Sequence, residues 1–184
     1  MRPFPIAAAL CALAACGPPP ERYAAPPASP GAPIPVAAAT IEIREVSLPA
    51  YALDEEIWRE APSGALVPAE GRLWADDPAR GTTLELAGQL AAVTGARVAP
   101  EPWPFDDLPA ARVEVRADRF LAGADGRFRI SGQIFAANAE DGTNRATAFS
   151  VAAPIPPDSG LPGIAAARAA AIRDLARRIA ETGI

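Results

Sequence analysis

The sequence predicts an α+β domain in which a small antiparallel sheet carries two main helices on one face. Charged and small apolar residues alternate over residues 112–118, as they do in a strand with one solvated face. Apolar side chains recur at helical spacing over residues 86–93 and 164–179. The length of 184 residues is enough for one domain with appendages.

Composition excludes several classes of function. Every basic residue is arginine and the net charge is −5, so the chain lacks the basic excess that nucleic acid binding requires. Histidine is absent, which excludes Ser-His-Asp, Cys-His and His-containing metal sites. The two cysteines, Cys11 and Cys16, lie near the N-terminus, so no disulfide can cross-link the body. We therefore expect no nucleic acid partner and no cofactor.

Residues 1–15 predict a lipoprotein signal peptide that the mature protein lacks. Arg2 precedes an apolar run over residues 6–15, which is too short to span about 30 Å of hydrocarbon as a helix. A buried N-terminal helix is the alternative, but prolines on both sides of the run argue against it.

Residues 13–16, Leu-Ala-Ala-Cys, resemble the bacterial lipobox, in which the leader is cut before the cysteine and the cysteine is acylated. Cys11 is a weaker candidate because Leu10 stands where the cleaving peptidase needs a small residue. Acylation of Cys16, with palmitate among the chains, would anchor the protein stably once more than one chain is attached. Gly17 stands where an aspartate commonly marks inner-membrane retention, so the resemblance favours the outer membrane.

Residues 16–39 predict a lipidated cysteine followed by a disordered tether. Proline and alanine predominate, so the segment cannot bury enough apolar surface to offset its ordering entropy. In polyproline II geometry, at about 3.1 Å per residue, it would reach up to roughly 70 Å. The folded domain is expected over residues 40–184.

Strands are predicted along most of that domain. Short ones are expected over residues 40–46, 56–59 and 66–74. A three-strand antiparallel meander follows, with turns at residues 125–126 and 140–142. Its first strand covers residues 112–118. The alternating residues that define its other two strands are Phe128, Ile130, Ile134, Thr147, Phe149 and Val151.

Two helices are predicted. The first begins at Thr82, which forms a capping-box pair with Glu85, and ends at Gly95 as a left-handed cap. The second begins within residues 159–162. Their apolar stripes are formed by Leu86, Leu90 and Val93, and by Ile164, Ile172, Leu175 and Ile179.

Several local motifs follow one another in a recognisable order. They are the lipobox, Val-Ser-Leu-Pro-Ala-Tyr at 46–51, Leu-Trp-Ala-Asp-Asp-Pro at 73–78, Pro-Trp-Pro at 102–104, the meander and the closing Ala/Arg helix. This order resembles the ABC-type transport auxiliary lipoproteins of the PqiC (paraquat-inducible protein C) kind. Two segments depart from the family pattern: the tyrosine-rich stretch after the lipid cysteine is reduced to residues 22–24, and the usual basic residue and proline do not follow Tyr51.

The resemblance implies a fold similar to the α+β unit of the TolB N-terminal domain. It implies a periplasmic domain anchored to the outer membrane that works without catalysis in an ABC-type or MCE (mammalian cell entry) lipid transport system. The implied partners are an MCE-domain protein and inner-membrane transporter components, and a homo-oligomer is left open.

Three aromatic residues, Tyr51, Trp74 and Trp103, are candidates for partner binding, because aromatic side chains dominate interface energetics. Packing within the domain is the alternative for each of them. The acidic pairs at residues 76–77 and 106–107 could serve catalysis or calcium binding, but solvated turns and helix caps are the favoured interpretation. No catalytic residue and no metal ligand is therefore predicted.

Three classes of function are compatible with these features. A non-catalytic subunit of a lipid transport system that maintains envelope integrity is favoured by the lipobox, the tether and the family order. A structural or assembly lipoprotein of another envelope machine, for secretion or lipopolysaccharide export, is the alternative. An envelope hydrolase is disfavoured because histidine and a mature thiol are absent.

Overall fold

The structure, a computed structural model, describes residues 19–139 and 141–184. The predicted signal peptide and Cys16 lie outside the described residues. The described chain forms the strands β1 (Glu21–Tyr23), β2 (Thr40–Ile43), β3 (Glu56–Glu60), β4 (Leu66–Trp74), β5 (Arg97–Pro100), β6 (Ala111–Ala122), β7 (Arg127–Asn138) and β8 (Asn144–Pro154). The helices are α1 (Pro78–Thr94) and α2 (Gly160–Ala180).

Three long strands form the predicted meander. β6 and β7 pair antiparallel, with Val115 opposite Ile134. β7 and β8 pair in the same sense, with Ile130 opposite Val151. The α+β class and a mostly antiparallel sheet are therefore confirmed.

One edge of β6 pairs with β7. The other edge pairs with two separate groups of short strands, here called branches, which the sequence does not predict. β2 pairs parallel with the beginning of β6, with Ile41 opposite Ala111, and β5 extends this branch. β3 meets the far end of β6, with Arg59 opposite Ala122, and β4 and β1 extend that branch. Parallel pairs join segments that are distant in sequence, because their connections must cross the sheet.

One face of the sheet and both helices enclose the core, and α1 and α2 pack against each other. The apolar stripes predicted for the helices are confirmed, since Leu86 and Leu90 of α1 and Ile172 and Leu175 of α2 are fully buried. The sheet contributes alternate side chains, as expected for a strand with one buried face. These include Ile41, Ile43, Val113, Val115, Phe128, Ile130 and Ile134.

α1 begins at Pro78, earlier than the predicted start at Thr82. The Asp77 side chain accepts a hydrogen bond from a backbone N–H of the first turn at 2.8 Å, and Pro78 fits the first helical turn. The capping box predicted at Thr82 and Glu85 is therefore wrong. Gly95, with a φ of 74°, ends the helix in the left-handed region as predicted.

Thr82 and Glu85 instead hold a buried guanidinium. Arg168 of α2 donates to the Thr82 hydroxyl at 3.0 Å and to the Glu85 carboxylate at 3.1 Å. Its Cζ lies 5.0 Å from the centre of the Trp74 ring and 5.7 Å from that of Phe120. Because a buried charge is stable only when it is paired and hydrogen-bonded, these contacts fix α2 against α1 and the sheet.

Residues 19–39 lie along the domain, which corrects the prediction of a free tether. β1 adds a strand to β4, and Gln89 and Arg177 donate side-chain hydrogen bonds to backbone carbonyls of the segment at 2.8 and 2.7 Å. The Ile34 N–H donates to the Val93 carbonyl at 2.8 Å. The prediction failed because Ala38 is buried and Tyr23, Ile34 and Val36 pack against the core, and because backbone groups of the segment also bond to the domain. The folded domain thus begins with β1 rather than at residue 40.

Gly132 allows the backbones of β7 and β6 to approach each other closely. Its φ is 153°, and a Cβ atom added there would lie 2.0 Å from the Arg116 carbonyl oxygen. The pairing register of β6 shifts between Ala117 and Arg119, which marks a β-bulge beside this close approach.

We predict that Gly132→Ala lowers the free energy of unfolding by about 1–3 kcal/mol, because the methyl group forces the two strands apart. Urea denaturation of residues 19–184 measures this change. Gly88→Ala is the matched control, since Gly88 lies within α1 and a Cβ there meets no atom within 4 Å. The control should leave stability unchanged or raise it by up to about 1 kcal/mol. Equal stability of both variants would contradict the conclusion that β6 and β7 lie too close at Gly132 to accommodate a Cβ atom.

We also predict that Arg168→Met lowers the free energy of unfolding by about 3–5 kcal/mol, because it leaves the Glu85 carboxylate without its partner. Adding Glu85→Gln should recover part of the loss. Arg80→Met removes an exposed ion pair with Asp76 and should cost less than about 1 kcal/mol. If Arg168→Met and Arg80→Met have the same denaturation curve, the buried ion pair between α1 and α2 does not contribute more to stability than an exposed one.

Candidate functional site

Trp74 belongs to the core and is not a surface residue. Its side chain is 6% exposed, its ring meets Phe128 edge to face at 6.3 Å, and Arg168 lies over it. This corrects the expectation that Trp74 is available to a partner. The residue ends β4, directly before the turn into α1, where it fills the space between the sheet and the two helices.

Tyr51 has a structural contact of its own. It lies in a 3-10 turn at Ala50–Ala52, and its hydroxyl accepts a hydrogen bond from the Phe120 N–H at 2.9 Å. The Tyr51 ring meets Trp58 edge to face at 6.2 Å. Burial raises the pKa of Tyr51 further above its ordinary value. The residue thus fixes the loop after β2 against β6.

Trp103 lies in a surface loop, residues 101–110, which we call the Trp103 loop. The Trp103 backbone N–H donates to Glu42 at 3.2 Å, and its indole N–H donates to the Asp107 carbonyl at 2.6 Å. Glu42 pairs with Arg112 at 2.7 Å on the sheet face opposite the core. The loop is therefore attached to the outer face of the sheet rather than to the helices.

This loop exposes apolar side chains, one of which is held by neighbouring rings and charges. The Phe105 ring lies 5.0 Å from that of Trp103, and the Arg97 guanidinium lies 4.5 Å from the centre of Phe105 while pairing with Asp107. Phe105 is 42% exposed and Leu108 is 83% exposed. Phe105 is held by these contacts, whereas Leu108 projects freely from the loop, and exposed apolar side chains of this size are typical of a protein contact.

A groove of about 380 Å³ lies on the same outer face. Its apolar part is formed by Phe135, Ala137 and Ala146, and three arginines border it, Arg44, Arg112 and Arg145. A smaller hollow of about 170 Å³, lined by Leu108 and Arg112, lies between the groove and the Trp103 loop. Phe135 is not among the residues predicted from the sequence, although its place between the inward-facing Ile134 and Ala136 of β7 indicates an outward side chain.

The buried pair of Glu85 and Arg168 borders a cavity of about 420 Å³ that residues 23–27 help to enclose. Burial raises the pKa of Glu85, and the charge of Arg168 opposes this shift. Burial lowers the pKa of the Arg168 guanidinium, and Glu85 opposes that shift in turn. The pair bridges α1 and α2, and its position explains its perturbed pKa values without a catalytic role.

Three of the four residues in the acidic pairs have structural contacts. Asp77 caps α1, Asp76 pairs with Arg80, and Asp107 pairs with Arg97. Across residues 19–139 and 141–184, no three His, Cys, Asp or Glu side chains converge as they would around a metal ion. Over the same residues, no helix is long and apolar enough to span a bilayer.

The Trp103 loop and the β3–β4 turn lie at opposite ends of β6. The loop is attached beside the beginning of β6, where β2 pairs with Ala111–Val113, whereas β3 reaches Ala122 at the far end. At about 3.3 Å per residue, these levels are roughly 30 Å apart. β3 runs parallel to β6, so the turn that follows Glu60 extends beyond this far end.

Comparison with solved structures supports the fold. An uncharacterised protein has a TM-score of 0.71 at 18% identity, over 90% of this chain and 99% of that one. A Xanthomonas campestris protein has a TM-score of 0.68 at 15% identity, over 89% and 93% of the two chains. PelC from Paraburkholderia phytofirmans, crystallised as a dodecamer, is less similar, with a TM-score of 0.42 at 14% identity over 78% and 92%. At these identities the likeness concerns the fold alone.

No curated protein matches the sequence. A family model does, and it covers the chain from Tyr23 in β1 to Ala180 at the end of α2. The match thus includes the N-terminal segment that lies along the domain, the whole sheet and both helices. Because residues 23–180 match this model, the chain belongs to the ABC-type transport auxiliary lipoprotein component family.

Proposed function

We propose that this auxiliary lipoprotein is a non-catalytic subunit of the PqiC kind in an MCE-type lipid transport system. It is anchored by Cys16 at the periplasmic face of the outer membrane, and it binds an MCE-domain protein of the inner-membrane transporter. The observation that carries the proposal is the placement of a fixed, exposed apolar loop at the end of the domain far from the β3–β4 turn.

The lipidation motif supports the anchoring part of the proposal. Leu-Ala-Ala-Cys at residues 13–16 follows an apolar run, and Gly17 favours transfer to the outer membrane. A lipid on Cys16 would attach the domain to the membrane, stably once more than one acyl chain is present.

The Trp103 loop supports the binding part. Trp103 is fixed by hydrogen bonds at its backbone and its indole, so little side-chain entropy is lost when a partner covers it. Phe105 and Leu108 then offer apolar surface that the domain itself leaves exposed. Bordering arginines such as Arg112 supply the polar rim that surrounds the apolar centre of many interfaces.

For the anchor, we predict that Cys16→Ser moves the protein from the membrane fraction to the soluble periplasm, because the thiol that accepts the lipid is lost. Mass spectrometry of the wild-type protein should find an acylated Cys16 at the mature N-terminus. Cys11→Ser is the matched control and should remain in the membrane fraction. A wild-type protein that carries no acyl chain on Cys16 would exclude lipid anchoring at this position.

For the partner surface, we predict that Leu108→Asp combined with Phe105→Ala reduces capture of the MCE-domain protein from solubilised, crosslinked membranes. Loss of one hot spot of about 2 kcal/mol corresponds to roughly thirtyfold weaker binding. The thermal midpoint should change little, because both side chains are exposed.

Leu53→Asp is the control for this experiment, since Leu53 is 50% exposed in a different loop. It should leave capture at the wild-type level. Undiminished capture by the Leu108 and Phe105 variant would exclude the Trp103 loop as the contact. If the wild-type protein captures only components of a secretion or lipopolysaccharide export machine, the alternative function as an assembly lipoprotein is correct.

A further inference from the structure

We infer that residues 61–66, the turn between β3 and β4 with the first residue of β4, rest on the surface of the bilayer that holds the lipid. We call these residues the hairpin tip. The inference depends on the proposed acylation of Cys16 and adds a second, protein-mediated contact with the membrane. It also sets the orientation of the domain, with the hairpin tip at the bilayer and the Trp103 loop directed away from it.

The position of β1 limits how far the domain can move from its anchor. β1 is paired with β4, with Glu21 opposite Arg72, and these two side chains form an ion pair at 3.2 Å. Arg22 pairs with Glu55 at 2.8 Å. Only residues 17–20 separate Cys16 from Glu21. Five fully extended residue steps span at most about 18 Å, far less than the roughly 70 Å of a free tether.

The direction of β1 points the anchor toward the hairpin tip. β1 runs parallel to β4, so the chain before Glu21 approaches from the side where β4 begins at Leu66. From Arg72 back to Leu66 along β4 is about 20 Å, at roughly 3.3 Å per residue. The reach of residues 17–20 therefore matches the distance to the hairpin tip. The Trp103 loop lies roughly 30 Å further along β6, beyond that reach.

The chemistry of the hairpin tip fits a lipid surface. Residues 61–69, Ala-Pro-Ser-Gly-Ala-Leu-Val-Pro-Ala, contain no charged side chain. Leu66 is 37% exposed, and Pro62 and Ala65 are also exposed. An uncharged tip can enter the headgroup region without the cost of desolvating a charge.

The hairpin tip is also structurally fixed. The Ala61 N–H donates to the Ala65 carbonyl at 2.8 Å, and the Gly64 N–H donates to the Ala61 carbonyl at 2.8 Å. Gly64 has a φ of 82°, which suits glycine in a tight turn. These bonds satisfy backbone groups that would otherwise have to remain hydrated at the membrane surface.

Two carboxylates border the uncharged stretch and limit the depth of the contact. Glu60 accepts a hydrogen bond from the Ala124 N–H at 3.4 Å, and Glu70 is exposed on β4. Because carboxylates remain hydrated, the contact is confined to the headgroup region and involves the tip alone.

Site-specific fluorescence tests this orientation in the full lipidated protein. Cleavage removes Cys11 with the leader and acylation blocks Cys16, so Leu66→Cys introduces a single reactive thiol. The variant is labelled with an environment-sensitive fluorophore and reconstituted into phosphatidylethanolamine and phosphatidylglycerol vesicles that contain a lipid with a quencher near the headgroup. Leu108→Cys, labelled in the same way, is the matched control at the opposite end of the domain.

We expect the quencher lipid to reduce the fluorescence of the label at residue 66 by about twofold or more, because that label lies at the headgroup boundary. The fluorescence of the label at residue 108 should remain unchanged. Ala65→Cys should behave like Leu66→Cys, which guards against a local effect of one substitution. Mass spectrometry of the same preparation determines whether Cys16 is acylated.

The two proposals fail in different ways. If Cys16 carries no acyl chain, the proposed anchoring is wrong. If Cys16 is acylated but the labels at residues 65 and 66 are no more quenched than the label at residue 108, the orientation is overturned and the anchoring stands.

Discussion

Arg168 places a charged guanidinium in a small core. The positions of α1, α2 and the sheet depend on the ion pair, hydrogen bond and aromatic contacts that this charge requires. Its donors reach Thr82 and Glu85 of α1, and its planar face lies against Trp74 and Phe120 of the sheet. One side chain of α2 is thus in contact with the other helix and with two strands. Because an unpaired guanidinium in this position would be costly, the relative placement of these elements is restricted to one that supplies both carboxylate and aromatic partners.

The same cluster explains which parts of the fold were predictable. Apolar periodicity is a local signal, so the stripe from Leu86 to Val93 and the alternation of β6 and β7 were recognised from the sequence. Thr82 and Glu85 have the spacing of a capping box, but their partner is Arg168, more than eighty residues away in the chain. A local pattern cannot distinguish these two uses of the same side chains. The parallel pairs of β2 and β3 with β6 also depend on tertiary contacts and have no local signature.

The sequence predicted that exposed aromatic residues would form the candidate site, but it did not distinguish the residues of that site from those packed within the domain. Trp74 and Trp103 are both tryptophans beside prolines and aspartates, yet the first is packed in the core and the second is attached to the outer face of the sheet. The difference arises from register, since Trp74 ends a strand whose last residue faces the helices. Phe105, Leu108 and the groove beside Phe135 were not singled out, because an exposed apolar surface is defined by what the rest of the fold leaves uncovered.

The N-terminal segment that lies along the domain has a mechanical consequence. If a lipid on Cys16, as proposed, were pulled while a partner held the Trp103 loop, tension would enter the domain through β1, which is joined to β4 by three residue pairs. Those pairs are loaded in shear along the strand axis, the direction in which paired strands resist separation collectively. If β1 yields, the force passes to the bonds of Gln89 and Arg177 in succession, and residues 23–27 withdraw from the cavity beside Trp74 and Arg168. The N-terminal segment would thus detach in steps and extend the connection to the anchor, while the rest of the sheet and the helices remain folded.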